Sequence, residues 1–110
     1  MKKIALLTLV ALLFAGLMAG LIGCSEKKEA VELNVSAAAS LTDVLKDIND
    51  LYTKKHPNVT ITPNFAASGT LQTQIQQGAP CDVFISAGAK QMDALQSGGL
   101  ILDDTRKDLL

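Results

Sequence analysis

The strongest constraint on the fold is the alternation, after residue 30, of short β-prone runs with segments of helical periodicity. Residues 33–36, 59–62 and 82–85 are predicted strands, the second extending to Phe65. A helical pattern follows each of them and ends near a proline or a glycine pair. Because helices that connect successive strands are typical of βαβ units, the sequence predicts an α/β fold with a mostly parallel sheet flanked by helices.

The helix after the first strand has the clearest periodicity, and Pro57 requires it to stop by His56. Shorter helices are predicted around Leu71 and around Leu95. The apolar positions that define the first helix recur at helical spacing and are Leu41, Val44, Leu45, Ile48, Leu51 and Tyr52.

The first 23 residues have the layout of an export signal, with Lys2 and Lys3 before an apolar run over residues 4–22. An uncleaved membrane anchor is the alternative, since a span needs only about 20 apolar residues. The end of the run, Leu21-Ile22-Gly23-Cys24, resembles the lipobox of bacterial lipoproteins. That resemblance implies cleavage before Cys24 and lipid on its sulfur, which would anchor the protein in the cell envelope, periplasmic or on the outer face of the cytoplasmic membrane.

Residues 24–30 are polar and charged, and we interpret them as a flexible tether to a folded part that begins near Val31. The chain ends just after a segment that resembles the start of another element, so residues 31–110 are expected to form an incomplete, truncated lobe.

Cys81 is predicted to be a buried small side chain. With no Cys/His cluster at ligand spacing, no metal site is expected.

Composition excludes some partners. The net charge is −1, only 4% of residues are aromatic and there is no Trp. Nucleic acid is therefore not an expected partner, and the usual stacking platform for bases or sugars is missing.

Two strand–helix junctions carry nearly the same pentapeptide, Ala-Ala-Ser-Leu-Thr over residues 38–42 and Ala-Ala-Ser-Gly-Thr over residues 66–70. Taken singly, Ser40 and Ser68 could be ordinary helix N-caps. Taken together, they should lie at one edge, because the carboxyl ends of parallel strands open to the same crevice. Hydroxyls, free N–H groups and positive helix ends suit an anion there. Neither pentapeptide contains Lys or Arg, so neutral dipoles would hold a fully ionised oxyanion.

Three blocks resemble the periplasmic molybdate-binding proteins of ABC transporters; they are residues 36–42, 65–71 and 78–87. The resemblance implies the first lobe of a two-lobe, periplasmic-binding-protein-like fold, a monomer that delivers its anion to a transporter permease and carries no cofactor. It also implies that the Ser40 and Ser68 hydroxyls bind the oxyanion, assisted by main-chain N–H groups of Ala39 and Gly69.

The sequence departs from that family in three ways. Cys81 stands where the family often has Ala, and Gly88 where Asp or Asn is common, so the third helix is expected to begin with a different cap. A second lobe, which in the family supplies further ligands including a Tyr, is absent.

Other functions stay open. A related protein for tungstate or sulfate fits the same residues. A serine hydrolase would need a base, yet the sequence has one His, His56, and no G-x-S-x-G motif. A structural or adhesive lipoprotein would explain the tether but not the matched junctions.

Overall fold

The structure, a computed structural model, describes residues 27–109. The predicted export signal and the lipidation of Cys24 lie outside the described residues. Three parallel strands form one sheet in the order β2-β1-β3, which confirms the predicted α/β fold. The strands are β1 (Val31–Ala38), β2 (Val59–Ala66) and β3 (Val83–Ile85).

Each strand is followed by helical structure, as the sequence predicts. A 3-10 turn precedes the first α-helix, and two of the helices are followed by glycines with positive φ, Gly78 at 90° and Gly99 at 69°. Only glycine adopts such angles at no steric cost, so these residues end the helices. The helical elements are the 3-10 turn Ala39–Leu41, α1 (Thr42–Lys55), α2 (Ser68–Gln76) and α3 (Ala89–Ser97).

The strands differ in length from the prediction. β1 and β2 each have eight residues, longer than the apolar runs that predicted them, while β3 begins one residue later, at Val83. β2 continues through Pro63, which a central strand would not tolerate. Proline is accepted here because β2 is an edge strand whose outer side needs no ladder donor.

The helices lie on opposite faces of the sheet. The β1–α1–β2 and β2–α2–β3 connections cross the sheet in opposite directions, and right-handed crossovers then place α1 on one face and α2 on the other. α3 packs beside α2. Leu71 of α2 and Leu95 of α3 have no exposed surface and form the core on this side of the sheet, and Ala37 and Ala38 at the end of β1 are also buried.

Burial on α1 does not follow its amphipathic pattern. Four of its apolar side chains are 42–60% exposed, namely Val44, Ile48, Leu51 and Tyr52. The side chains that are half-buried lie on the adjacent face, where Leu45 is accompanied by Asn49 and Thr53.

The segment after α3 is fixed by Arg106, whose guanidinium donates to Asp93 Oδ1 at 2.6 Å and to Gln96 Oε1 at 2.8 Å. It therefore folds back along α3 rather than leaving the domain. Within residues 27–109, no helix is long and apolar enough to cross a membrane.

Candidate functional site

The two serine-bearing junctions lie side by side. Ala38 and Ala66 are paired residues at the ends of β1 and β2, and each serine follows its paired alanine by two positions. Neighbouring strands in a sheet are about 4.8 Å apart. The structure thus brings the Ser40 and Ser68 segments to the same edge at the same level.

Neither serine is an N-cap, so that local interpretation is wrong. Ser40 is the middle residue of the 3-10 turn that follows Ala38, and α1 begins only after Leu41. Ser68 is the first residue of α2, whose N-cap is Ala67. Neither helix start has a side-chain capping hydrogen bond, so both hydroxyls are free of that role.

A third junction reaches the same place. The main-chain N–H of Ala87 donates to Ser68 Oγ at 3.0 Å. Since β3 and β2 flank β1 on opposite sides, the chain after β3 must cross the end of β1 to make this bond. Our sequence reasoning did not assign Ala87 to the site, although its position two residues beyond Ile85, at the end of a parallel strand, is a signal that could have found it.

Threonine hydroxyls donate hydrogen bonds to the carbonyl oxygens of Ala39 and Gly69, the two residues predicted to bind the anion through their main-chain N–H groups. Thr42 Oγ1 donates to Ala39 O at 2.7 Å, and Thr73 Oγ1 donates to Gly69 O at 3.1 Å. An anion is repelled by carbonyl oxygens. The hydrogen bonds that the two threonines donate to these oxygens therefore favour an edge that presents donors. Residues 39 and 69 were predicted to contribute through their N–H groups, and no contact within the described residues assigns them another role.

The edge is open to solvent. Ala39, Ser40 and Gly69 are exposed, and Ser68 is half-buried. A Cβ added to Gly69 would meet nothing within 4 Å, so space is free directly above the main chain. A separate open groove of about 1000 Å³ runs from Ser40 along β3 and α3 to the C-terminal segment. Ser68 does not line that groove, so the volume of the groove does not measure the size of an anion site between the two serines.

The electrostatics of this edge come from dipoles. α2 directs its positive end toward it, and no basic residue lies in either pentapeptide. The pKa of Arg106 is raised above its ordinary value, chiefly by the hydrogen bond to Asp93, but this pair fixes the C-terminal segment to α3. Within residues 27–109, no three His, Cys, Asp or Glu side chains converge as metal ligands.

Asp82 joins β3 to β1. Its Oδ2 accepts from the main-chain N–H of Asn34 at 2.7 Å and from the side chain of Asn34 at 3.3 Å. Asp82 N–H in turn donates to Asn34 O at 2.8 Å, which extends the pairing of β3 with β1.

Cys81 is half-buried rather than buried, and its thiol donates to Val83 O at 3.3 Å. The altered start of α3 is also explained: Gly88 is the N-cap, and its N–H donates to Ser86 Oγ at 3.2 Å.

His56 lies at the far end of α1 from Ser40, with its ring 4.3 Å from that of Tyr52. A helix of 14 residues is about 21 Å long at 1.5 Å per residue. His56 is therefore too distant to activate either serine.

Residues 33–110 match the family described as bacterial extracellular solute-binding protein. The chain belongs to this family. The chain is similar to the molybdate-binding protein ModA of Haemophilus influenzae, with 39% identity over 110 residues, which cover all of this chain and 41% of that protein. A putative ABC transporter substrate-binding lipoprotein of Bacillus subtilis, YvgL, is 45% identical over 76% of this chain and 30% of its own length.

A solved structure has the same fold. The substrate-binding domain of a putative molybdenum ABC transporter from Clostridium difficile superposes with a TM-score of 0.70 and 56% identity, covering 73% of this chain and 35% of its own. The sequence-based resemblance and the periplasmic-binding-protein-like architecture are thereby confirmed. The chain spans less than half the length of each of these relatives.

Proposed function

We propose that this lobe belongs to the extracytoplasmic substrate-binding component of an ABC importer, and that it captures molybdate. The observation that carries this proposal is the register of β1 and β2, which puts two serine-led junctions level at one open edge. The ligand would be held by the hydroxyls of Ser40 and Ser68 and by the N–H groups of Ala39 and Gly69. The names of the ModA relative and of the Clostridium difficile domain refer to molybdate or molybdenum, and the name of YvgL refers to substrate binding for an ABC transporter, which supports the assignment.

The Ser68 hydroxyl is suited to donate. Its oxygen already accepts from the Ala87 N–H, while no acceptor for its proton is found within residues 27–109. A hydroxyl has one proton, so in this arrangement Ser68 is free to give it to a ligand. Ser40 makes no side-chain hydrogen bond within the described residues. An edge made of donors favours an anion without a proton of its own, because an anionic O–H would find no acceptor.

Binding by one lobe should be weak, so the test needs a method that detects millimolar affinity. In a nuclear magnetic resonance titration of the purified chain, molybdate should move the amide signals of residues 39, 40, 68 and 69. Sodium chloride at matched ionic strength should leave them in place. Ser40→Ala and Ser68→Ala should each reduce the shifts. Movement confined to other regions, or no movement at 10 mM molybdate, a concentration of the order at which single-lobe binding is expected, would contradict the proposal.

Tungstate and sulfate are the alternative ligands, since both are fully ionised tetrahedral anions at neutral pH. The same titration separates them from molybdate by the concentration needed for half-saturation. Phosphate is the negative control, because part of it keeps a proton at pH 7. Hydrolysis is the alternative reaction, and it is disfavoured by the distance of His56 from the serines. Turnover of an ester that Ser40→Ala abolishes would establish it.

Location and partners follow from the same proposal. We infer a lipid anchor on Cys24, residues 24–30 as its tether, and a transporter permease that receives the anion from a monomeric binding protein. Metabolic labelling with a fatty acid tests the anchor: label should attach to the wild-type chain and be absent from Cys24→Ser. Label on both proteins would rule this site out.

A further inference from the structure

Lysines cluster where the chain enters the lobe. The Glu29 carbonyl oxygen accepts from Asn58 Nδ2 at 3.0 Å, and the Val31 N–H donates to Asn58 O at 2.8 Å. The entering chain is therefore fixed beside the turn between α1 and β2. Because Lys27 and Lys28 directly precede Glu29, they lie close to the end of α1.

The last turn of α1 adds two more lysines. Lys54 and Lys55 are its last two residues, and Lys55 precedes Asn58 by only three positions. We call the four lysines at residues 27, 28, 54 and 55 the basic pole. All four are exposed, and none forms an ion pair within residues 27–109, where both salt bridges are made by Arg106. Lysines in a last turn favour the helix dipole, but exposed ammonium groups stay free to meet a partner.

Charge on the lobe is uneven. The basic pole holds four of the eight Lys and Arg residues between residues 27 and 109, and Glu29 is the acidic residue that lies among them. The other four basic residues share the rest of this surface with nine acidic ones. Glu32 is near the pole, but its Oε1 accepts from Thr62 Oγ1 at 3.2 Å, farther along the strands. The pole is thus a positive surface on a lobe that is acidic elsewhere.

The basic pole and the anion edge lie at opposite ends of the sheet. The pole surrounds the amino end of β1, whereas Ser40 and Ser68 follow the carboxyl ends of β1 and β2. An eight-residue strand is about 26 Å long at about 3.3 Å per residue. Lys27 is three residues from Cys24, and such a segment spans at most about 11 Å. Lipid on Cys24 therefore brings the pole, and not the anion edge, to the membrane surface.

We propose that the basic pole binds the anionic phospholipid headgroups of the membrane that anchors the chain. The inference rests on the proposed anchor at Cys24, which keeps the pole within reach of the headgroups, so that a few lysines suffice. Each lysine near an anionic surface adds an attraction that falls off within a Debye length. With the pole on the bilayer, the serine-bearing edge faces the solution from which the anion is captured.

Quenching of a single fluorophore by labelled lipid tests the proposal. The full-length chain carries Cys24→Ser and Cys81→Ala, so that no native thiol remains and lipidation is excluded. Its apolar residues 4–22 are long enough to hold it in a vesicle without lipid. Thr60→Cys places the fluorophore near the basic pole, and Thr70→Cys places it near the anion edge; both threonines are exposed.

The vesicles consist of phosphatidylcholine alone or with about one third phosphatidylglycerol, and both contain a lipid with a nitroxide on its headgroup. Phosphatidylglycerol should increase quenching of the fluorophore at Thr60→Cys at least about threefold, because it supplies the anionic surface. Quenching at Thr70→Cys should not change. Raising the salt to about 1 M, where the Debye length is only about 3 Å, should remove the increase.

Charge variants identify the lysines responsible. Lys54→Gln combined with Lys55→Gln should remove most of the increase at Thr60→Cys, since each lysine strengthens the contact about fivefold. Lys46→Gln combined with Lys90→Gln changes the net charge equally outside the pole and should retain it. Helical content by circular dichroism confirms that each variant is folded. If the first pair unfolds the lobe, the pair at residues 27 and 28, which lie outside the helices, repeats the test.

Equal quenching at Thr60→Cys in the two kinds of vesicle would overturn the proposal, because the tether alone would then set the distance from the bilayer. An equal loss in the pole variant and in its control would also overturn it, since net charge would then be responsible. Neither result depends on lipidation of Cys24 or on anion binding. Fatty-acid labelling and the molybdate titration test those two separately.

Discussion

The Ala87 N–H donates to Ser68 Oγ across the end of the central strand, at 3.0 Å. This bond links the junction after β3 to the start of α2, although β3 and β2 are not neighbours in the sheet. It fixes the acceptor side of one serine and leaves its proton available. Ser40, one strand away, makes no side-chain hydrogen bond within the described residues. The two matched serines therefore differ in what each contributes to the fold.

Ser68→Ala should lower both stability and anion affinity, whereas Ser40→Ala should lower affinity alone. Removing Ser68 Oγ leaves the Ala87 N–H without its partner, at a cost of about 0.5–1.5 kcal/mol in the free energy of unfolding. Urea unfolding of both variants without anion measures the difference. Equal stabilities would show that the Ala87 bond contributes nothing.

Asp82→Ala should destabilise the junction of β3 with β1. The carboxylate accepts from the main-chain N–H of Asn34 at 2.7 Å, and its loss should cost about 1–2 kcal/mol, since a charged acceptor is removed. The rate of amide hydrogen exchange should increase most at Asn34. Asp103→Ala, an exposed acid with no hydrogen bond in the described structure, is the control and should leave exchange at Asn34 unchanged.

Leu71→Ala should be the most damaging single truncation of the core. Leu71 is fully buried between α2 and the sheet, and such substitutions cost about 2–5 kcal/mol through lost burial and the cavity left behind. Leu102→Ala removes the same atoms from a side chain that is 79% exposed and should change the midpoint of thermal unfolding little. Similar midpoints for the two variants would mean that the α2 core is not formed as described.

Arg106→Ala should release residues 100–109 from α3 and make them sensitive to limited proteolysis. Lys107→Ala, which removes an adjacent positive charge without this pair, should not. Because its hydrogen bond to Asp93 raises the pKa of Arg106, its stabilising effect is present at all pH values below that pKa and is lost only as the pH rises through it. Protection from the protease through Arg106 should therefore be constant between about pH 7 and 9, a range far below the ordinary pKa of arginine.

Much of the fold could be predicted because local patterns determine it. Pro57 and the glycine at 78 end helices through the backbone angles they exclude or permit. The alternation of strands with helices implies parallel pairing, and parallel pairing implies that Ser40 and Ser68 share an edge. The serines themselves were open to a second interpretation, as N-caps, and only the positions of Ala67 and the 3-10 turn removed it.

Sequence by itself determined which segments are strands and helices, where the helices end, and which two junctions match, because these depend on the preferences of neighbouring residues. Tertiary structure alone decided that Ala87 reaches Ser68 and that four apolar side chains of α1, those of Val44, Ile48, Leu51 and Tyr52, stay exposed. Both depend on how far apart strands and helices lie after packing and how each helix is rotated about its axis. Helical periodicity shows which side chains share a face, but the direction of that face is set only by the elements packed against it.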